Sequence, residues 1–546
     1  MMFLRIATIL LAVSALPVQA DPPVLGHVYP AGGKVGSTVT VNFGGTLKPW
    51  PVKVWTSSEK LKFEPQKKSG EMSVTVADDA SPGVYLVRVF NDDGASDIRP
   101  FVVGIADEIV EKEPNNKISD AMKIELPVVV NGQLAKRGDH DAFAVNVKKG
   151  QTLVVRMLAH RPLGSPMDGI IQIASDKGFV LAQNDDGPNL DPYIVFDVPQ
   201  DGTYLIRVFA FPEVATSSIS YAGAANFVYR LDATTSGYLD HTIPLVVAKN
   251  GSTDVRLNGW NLAKDKLAQK VSAGDGDAVV IAEPGNGRSL SLPVFEGQVV
   301  VAQEDQASQT VPLPVSISGT MDAKRDVDTF TFAMKKGQAL NINAYARSLD
   351  SPMDPVIRVT DPTGKVVKEI DDHDRTKRDA LINLRATEDG EHKLEIWDLH
   401  GQWGTRYYYR MDIQEQRPTI TLKLGIQAVT VKAGGEVKIP VDVVRGGGFN
   451  DKIKLTANDL PPGITCEAVE SDTKGASAKK VELKLVAAKD AESYSGLIKV
   501  IGQGVKLADV RGTAMFEVTG PSILRSDCWL TVVGSNDKSK EPIDSK

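Results

Sequence analysis

The sequence predicts an all-β protein built as a tandem array of β-sandwich domains, jelly-roll-like and Ig-like. Period-two alternation of apolar and polar residues runs through most of the chain, while long helical periodicity is almost absent. Clear examples are Ser37–Phe43 (STVTVNF), Gly83–Phe90 (GVYLVRVF), Ala142–Val147 (AFAVNV) and Thr203–Phe209 (TYLIRVF). Turn residues fill the gaps, drawn from 47 glycines and 31 prolines, as closely spaced short strands require. Length supplies the third observation. At 546 residues the chain is too long for a single core, so several domains must follow one another.

The domain order comes from an internal repeat. The segment from Gly138 (GDHDAFAVNVKKGQTLVVRM) is matched by the segment from Arg325 (RDVDTFTFAMKKGQALNINA). Asp139 and Asp141 correspond to Asp326 and Asp328, and Lys148-Lys149-Gly150 to Lys335-Lys336-Gly337, at an offset of 187. Ser165-Pro166-Met167-Asp168 recurs as Ser351-Pro352-Met353-Asp354, at an offset of 186. Proline presets φ in such a tetrapeptide and aspartate caps nearby amides, so a turn accounts for it better than a functional loop. A weaker match joins the stretches after Gly36-Ser37-Thr38 and Gly251-Ser252-Thr253. The predicted organisation is therefore an Ig-like sandwich (21–105), a larger sandwich (106–231), a small Ig-like domain (232–295), the second larger sandwich (296–414) and a final Ig-like sandwich (415–534). The tail 535–546 is polar and is expected to be disordered.

Residues 1–20 read as a cleavable signal peptide. Arg5 precedes an apolar run from Ile6 to Leu16, and Val18-Gln19-Ala20 suits a signal peptidase. An exported protein, periplasmic or extracellular, is the expectation, with no membrane span. A net charge of −7 argues against nucleic acid as a partner. In an oxidising compartment Cys466 and Cys528, 62 positions apart, are candidates for one disulfide.

No catalytic motif emerges. There is no G-x-S-x-G elbow and no H-E-x-x-H, and the seven histidines show no zinc spacing. His140, between two aspartates, and His373, in Asp371-Asp372-His373-Asp374, read as surface loop residues, and Cys466 lacks a partner motif for a nucleophile. The expectation is a non-catalytic binding or scaffolding protein, engaging envelope or extracellular protein or polysaccharide. The alternative is a secreted hydrolase, or its accessory subunit, with a site assembled from distant residues.

The larger sandwiches resemble the bacterial pre-peptidase C-terminal domain family. The residues that carry the resemblance are Glu113-Pro114-Asn115-Asn116, Gly132, Gly138-Asp139-x-Asp141-x-Phe143, Lys149-Gly150, Ser165-Pro166-x-Asp168, Asn184-Asp185-Asp186 and Asp201-Gly202-x-Tyr204. The second copy keeps the central part and lacks the Pro-Asn-Asn element. The resemblance implies a β-sandwich appended to secreted peptidases, with relatives that hold calcium through an N-terminal linker. The flanking modules are similar to Ig-like or TIG-like domains, and the whole is similar to exported planctomycete-type proteins.

The residues themselves allow the same chemistry. Calcium takes six to eight oxygen ligands. In an extended segment Glu111, Glu113 and Asn115 face one way, and Asp139 and Asp141 share that spacing at the start of a strand. These five are the candidate metal ligands of the first copy. Turn formation and solvated glutamates would account for the same residues without an ion. In the second copy Glu304 and Asp305 occupy the comparable linker with no Asn-Asn after them, so it is expected to respond to calcium weakly or not at all.

Overall fold

In a computed structural model, residues 21–187, 190–212, 220–282, 288–373 and 378–535 are described, so the signal-peptide segment and all of the tail after Ser535 lie outside them. Within these residues every regular element except four single 3-10 turns is a strand. Strands pair only within five consecutive stretches, spanning 24–104, 108–234, 238–295, 298–415 and 419–533, termed modules 1 to 5 here.

Modules 2 and 4 are built to one plan. In each, two five-stranded sheets enclose the core, and every strand of module 2 has a counterpart at the same place in the strand order of module 4. Alternation produces this directly: in Asp141–Val147, Phe143, Val145 and Val147 point inward, as do Phe330, Phe332 and Met334 in Val327–Met334. The repeated tetrapeptide is structural in both copies. Met167 and Met353 are fully buried in their cores, and the Ser165 and Ser351 hydroxyls donate to the Asn226 and Arg406 carbonyls at 3.2 and 3.0 Å.

Module 5 departs from the two separate sheets of an Ig-type sandwich. Arg511–Val518 pairs antiparallel with Tyr494–Gly504 and parallel with Thr419–Leu424, so a single hydrogen-bonded path runs through the whole module. The expected disulfide is also absent. Cys466 lies on Ile464–Cys466, which ends that path, whereas Cys528 lies on Asp527–Val533, near its other end. Both thiols are free, and Cys528 packs as a small apolar residue in the core, where burial pushes its thiol up to about 12. Sequence separation carried no information about which strands of the path would hold the two cysteines.

The modules do not form an extended string. Module 1 returns to module 5: Leu86 and Ile98 are buried in the core cluster of module 5, and Arg88, almost wholly buried, donates to the Gln427 carbonyl at 3.2 and 3.3 Å. The Arg88 guanidinium lies over the rings of Trp529 and Trp55, and Phe90 packs on Trp529 at 4.6 Å. Modules 2, 3 and 4 are joined by part-buried ion pairs among Arg156, Asp350, Arg288, Asp240 and Arg406. Trp529 thus closes a contact between the two ends of the chain. Trp529→Ala is expected to destabilise the protein by about 3–5 kcal/mol, the usual cost of emptying a large aromatic site, read from equilibrium denaturation. A change below about 1 kcal/mol would show that the two ends do not depend on this packing.

Candidate metal centre

The linker entering module 2 is held before it reaches the site. Glu108–Val110 pairs parallel with the strand Val128–Gln133, and Glu108 receives both Arg230 Nη1 and Nη2 at 2.7 Å. Arg230 is buried, and a paired, bidentate geometry is the condition under which a buried guanidinium is tolerated. The strand pairing carries Glu111 forward, and its backbone N–H donates to the Asn131 carbonyl.

From there the alternation acts as the spacing predicts. Oxygen atoms of Glu111, Glu113 and Asp141 come within 4.8 Å of one another. Asp141 is fully buried at the start of its strand, while Glu113 stands at the exposed side. Tyr229 lies between the two sheets and donates to Asp141 Oδ2 and, at 3.3 Å, to Glu111 Oε2. Its ring fits because the residue opposite is Gly132, where a Cβ would collide with it. Glu111 Oε1 accepts from the Gln133 N–H at 2.6 Å and from the hydroxyl of Tyr29, a module 1 residue, at 3.2 Å.

Asn115 is the informative residue. Its side chain is completely buried, yet neither Oδ1 nor Nδ2 has a hydrogen-bond partner, and Asp141 Oδ1 is equally unpartnered. Leaving such a group unpaired costs about 1–3 kcal/mol, and an orphaned amide oxygen on the residue whose backbone N–H donates to Glu113 at 3.0 Å, with three converging carboxylates, fits a hard cation in both charge and donor type. Asp139 does not join the group, against expectation. Its Oδ2 accepts from the Ala135 N–H at 2.9 Å and its Oδ1 from Asn116 Nδ2 at 2.8 Å, so its carboxylate braces the loop.

Burial and crowding shift the titrations upward. Burial pushes Glu111 up to about 7, and burial together with the Glu111 charge holds Asp141 well above the usual carboxylate range.

Module 4 holds a second group that sequence reasoning missed. Oxygens of Glu304, Asp326 and Asp328 also lie within 4.8 Å of one another. The linkers align on their backbone bonds, Glu111 N–H to Asn131 and Ala302 N–H to Ser318, which sets Glu304 opposite Glu113 and Ala302 opposite Glu111. Asp326 joins the group while its Oδ2 accepts from the Asp322 N–H at 2.8 Å, as Asp139 Oδ2 does from Ala135, and Tyr409 donates to Asp328 at 2.5 Å as Tyr229 does to Asp141. Burial, then the Asp328 charge, pushes Glu304 up to about 7. Glu113-x-Asn115 had been the expected signal; Glu304 without it was the one available clue.

Comparison with known proteins gives this site a context. Residues 139–210 match the family model of the bacterial pre-peptidase C-terminal domain. Residues of module 2 fall within that match, including Asp139, Asp141 and the Ser165–Asp168 turn. A relative from Deinococcus radiodurans, named as a probable subtilase-type serine protease, is 30% identical over 144 residues, which is 26% of this chain and 17% of the relative. The chain therefore spans about a sixth of that protein. Among solved structures, the pre-peptidase C-terminal domain of a Bacillus anthracis collagenase is 11% identical and aligns over 20% of this chain and 99% of its own, with a TM-score of 0.17. The four N-terminal Ig domains of a Dscam1 isoform are 9% identical over 94% of this chain and 100% of their own, with a TM-score of 0.20.

The shifted carboxyls set a pH dependence. Between the ordinary glutamate value of 4.5 and about 7, the folded chain without metal holds protons at Glu111 that the unfolded chain has released. Stability from this group is complete below pH 4.5 and is lost as pH rises towards 7. Glu111→Gln should remove that loss. The comparison is made by denaturation in chelator across this window, and identical slopes in the two proteins would rule out a raised Glu111.

Proposed function

We propose that this chain is an exported, non-catalytic scaffolding and binding protein in which calcium, held in module 2, locks module 1 against it. Its partners are then envelope or extracellular protein or polysaccharide, presented with a rigid multidomain surface. The observation that carries the reading is the converging Glu111, Glu113 and Asp141 carboxylates together with the buried, unpartnered side chain of Asn115, whose backbone N–H donates to Glu113 and whose backbone carbonyl accepts from the N–H of Ala142, next to Asp141.

Glu111, Glu113, Asp141 and the Asn115 carbonyl would hold the ion. Calcium would supply the positive charge that three converging carboxylates lack. The residues then do the rest. Tyr229 orients Asp141, the Gln133 amide orients Glu111, and Tyr29 joins Glu111 to module 1. The parallel pairing of Glu108–Val110 holds the linker in register, so fixing Glu111 fixes the chain entering the module. The match to a domain family, together with a relative named as a subtilase-type protease, supports an exported protein of the peptidase-associated kind. The histidines offer no competing site: His241 is engaged by Asp240 at 2.9 Å and stacks on Tyr408, and the exposed His373 and His400 do not enter either carboxylate group.

Calcium at about 100 times its Kd should stabilise the full chain by about 2.7 kcal/mol through linkage, seen as a rise in melting temperature. Asp141→Asn and Asn115→Ala should each reduce that rise, and Asp139→Asn should lower stability with or without calcium while leaving the increment intact. No heat in calorimetry and no change in melting temperature at millimolar calcium would contradict the reading.

A further inference from the structure

Module duplication allows the same surface to be compared twice within one chain. At one end of module 2, strands Thr152–Leu158 and Tyr193–Asp197 meet, with Arg156 opposite Tyr193 and the Asp191 carboxylate accepting from the Ala159 and His160 N–H groups. This mouth is filled by protein. Asp240 and Arg288 of module 3, with Asp350 and Arg406 of module 4, close in on Arg156, Asp191 and Tyr193 and leave about 10 Å³.

At the corresponding end of module 4, Asn343 stands opposite Leu381 in the place of Arg156 and Tyr193, and the Asp379 carboxylate accepts from the Ala346 and Ser348 N–H groups as Asp191 does in module 2. Among the described residues, no other module fills this mouth. It opens instead as a cleft of about 530 Å³, bordered across the gap by Arg161 of module 2 and Ser522 of module 5. A volume of this size is that of a small-molecule site.

Its lining differs sharply from the rest of an acidic chain. Among the described residues, Arg161, Arg347 and Arg378, with His373, converge on it against one lining carboxylate, Asp379, whose Oδ1 is already occupied by the two backbone N–H groups. Arg347 Nε is buried and has no hydrogen-bond partner. Asp354, behind the wall, offsets part of the charge on Arg347 and Arg378. The floor is apolar, formed by Ala344, Ala380 and Leu381. Guanidinium forks match carboxylate and phosphate oxygens in pairs, and an apolar floor suits the uncharged body that bears them.

We propose that the module 4 cleft is a binding site for a compact anionic ligand, a carboxylate or phosphate carried on an uncharged body about the size of one or two sugar rings. Arg347 and Arg378 grip the oxyanion, and Arg161 completes the site from module 2, so the site exists only in the assembled chain.

The test is calorimetric titration of the full chain with digalacturonate, inorganic phosphate and the neutral disaccharide maltose. Digalacturonate should bind one site, and Arg347→Ala/Arg378→Ala should weaken it at least about tenfold, the loss expected for charge-assisted bonds. Arg161→Ala, which also gives up a 3.8 Å pair with Asp350, should weaken it as well, and a melting temperature that falls by no more than a few degrees separates loss of a contact from loss of fold. Phosphate competing with digalacturonate would place an oxyanion alone in the arginine fork; digalacturonate binding unaffected by phosphate would require the sugar carboxylate. Maltose binding as tightly as digalacturonate, binding unaffected by the double variant, or no binding of either anion would overturn the proposal.

Discussion

Three carboxyl groups forced together at the seam between the first two modules are the constraint on which the rest of this structure turns. Glu111 and Glu113 arrive on a linker that strand pairing holds in place, and Asp141 is fixed at the start of a core strand, so their main-chain positions cannot separate without breaking backbone bonds. Repulsion must then be relieved locally, by a proton or by a cation. The raised values of Glu111 and Asp141 describe the first solution, and the orphaned Asn115 amide describes room for the second. Tyr29 makes the choice matter beyond the site, because it ties the position of module 1 to the state of Glu111.

Much of the fold was legible because β alternation and tandem duplication both leave local traces. The matching strands of modules 2 and 4 follow from inward residues two apart and from an offset that stays within one residue over most of the repeat. Of the candidate site, the linker glutamates and Asp141 were readable for the same reason: extended backbone fixes which side chains share a face. Asp139 was not, since its role depends on a neighbouring amide that captures it, here that of Asn116. The module 4 group was hidden because Asp326 makes up for Ala302 standing in place of Glu111.

What sequence could not indicate is contact between distant parts of the chain. Gln427 offers its backbone carbonyl to Arg88 and its side chain to the Ile98 N–H, contacts spanning more than three hundred residues with no local pattern to mark them. Trp529 reads as an ordinary strand residue, yet it receives Trp55, Phe90 and Arg88 from the opposite end. The same closure brings Ser522 and Arg161 to the module 4 mouth, so the cleft there is a product of assembly rather than of either repeat alone. Duplication supplied two equivalent mouths, and packing consumed one of them.

The central claim is that neutralising the seam fixes module 1 relative to module 2. The most direct measurement is the distance between spin labels at Glu59→Cys and Asp176→Cys, two exposed positions on those modules, in a Cys466→Ser background. At pH 8, above the value of about 7 reached by Glu111, calcium should collapse a broad distance distribution in chelator into one narrow population. The Asp141→Asn chain, which lacks one of the three converging carboxyls, should gain less from calcium than the parent. Distributions that are equally narrow with chelator and with calcium would contradict the account.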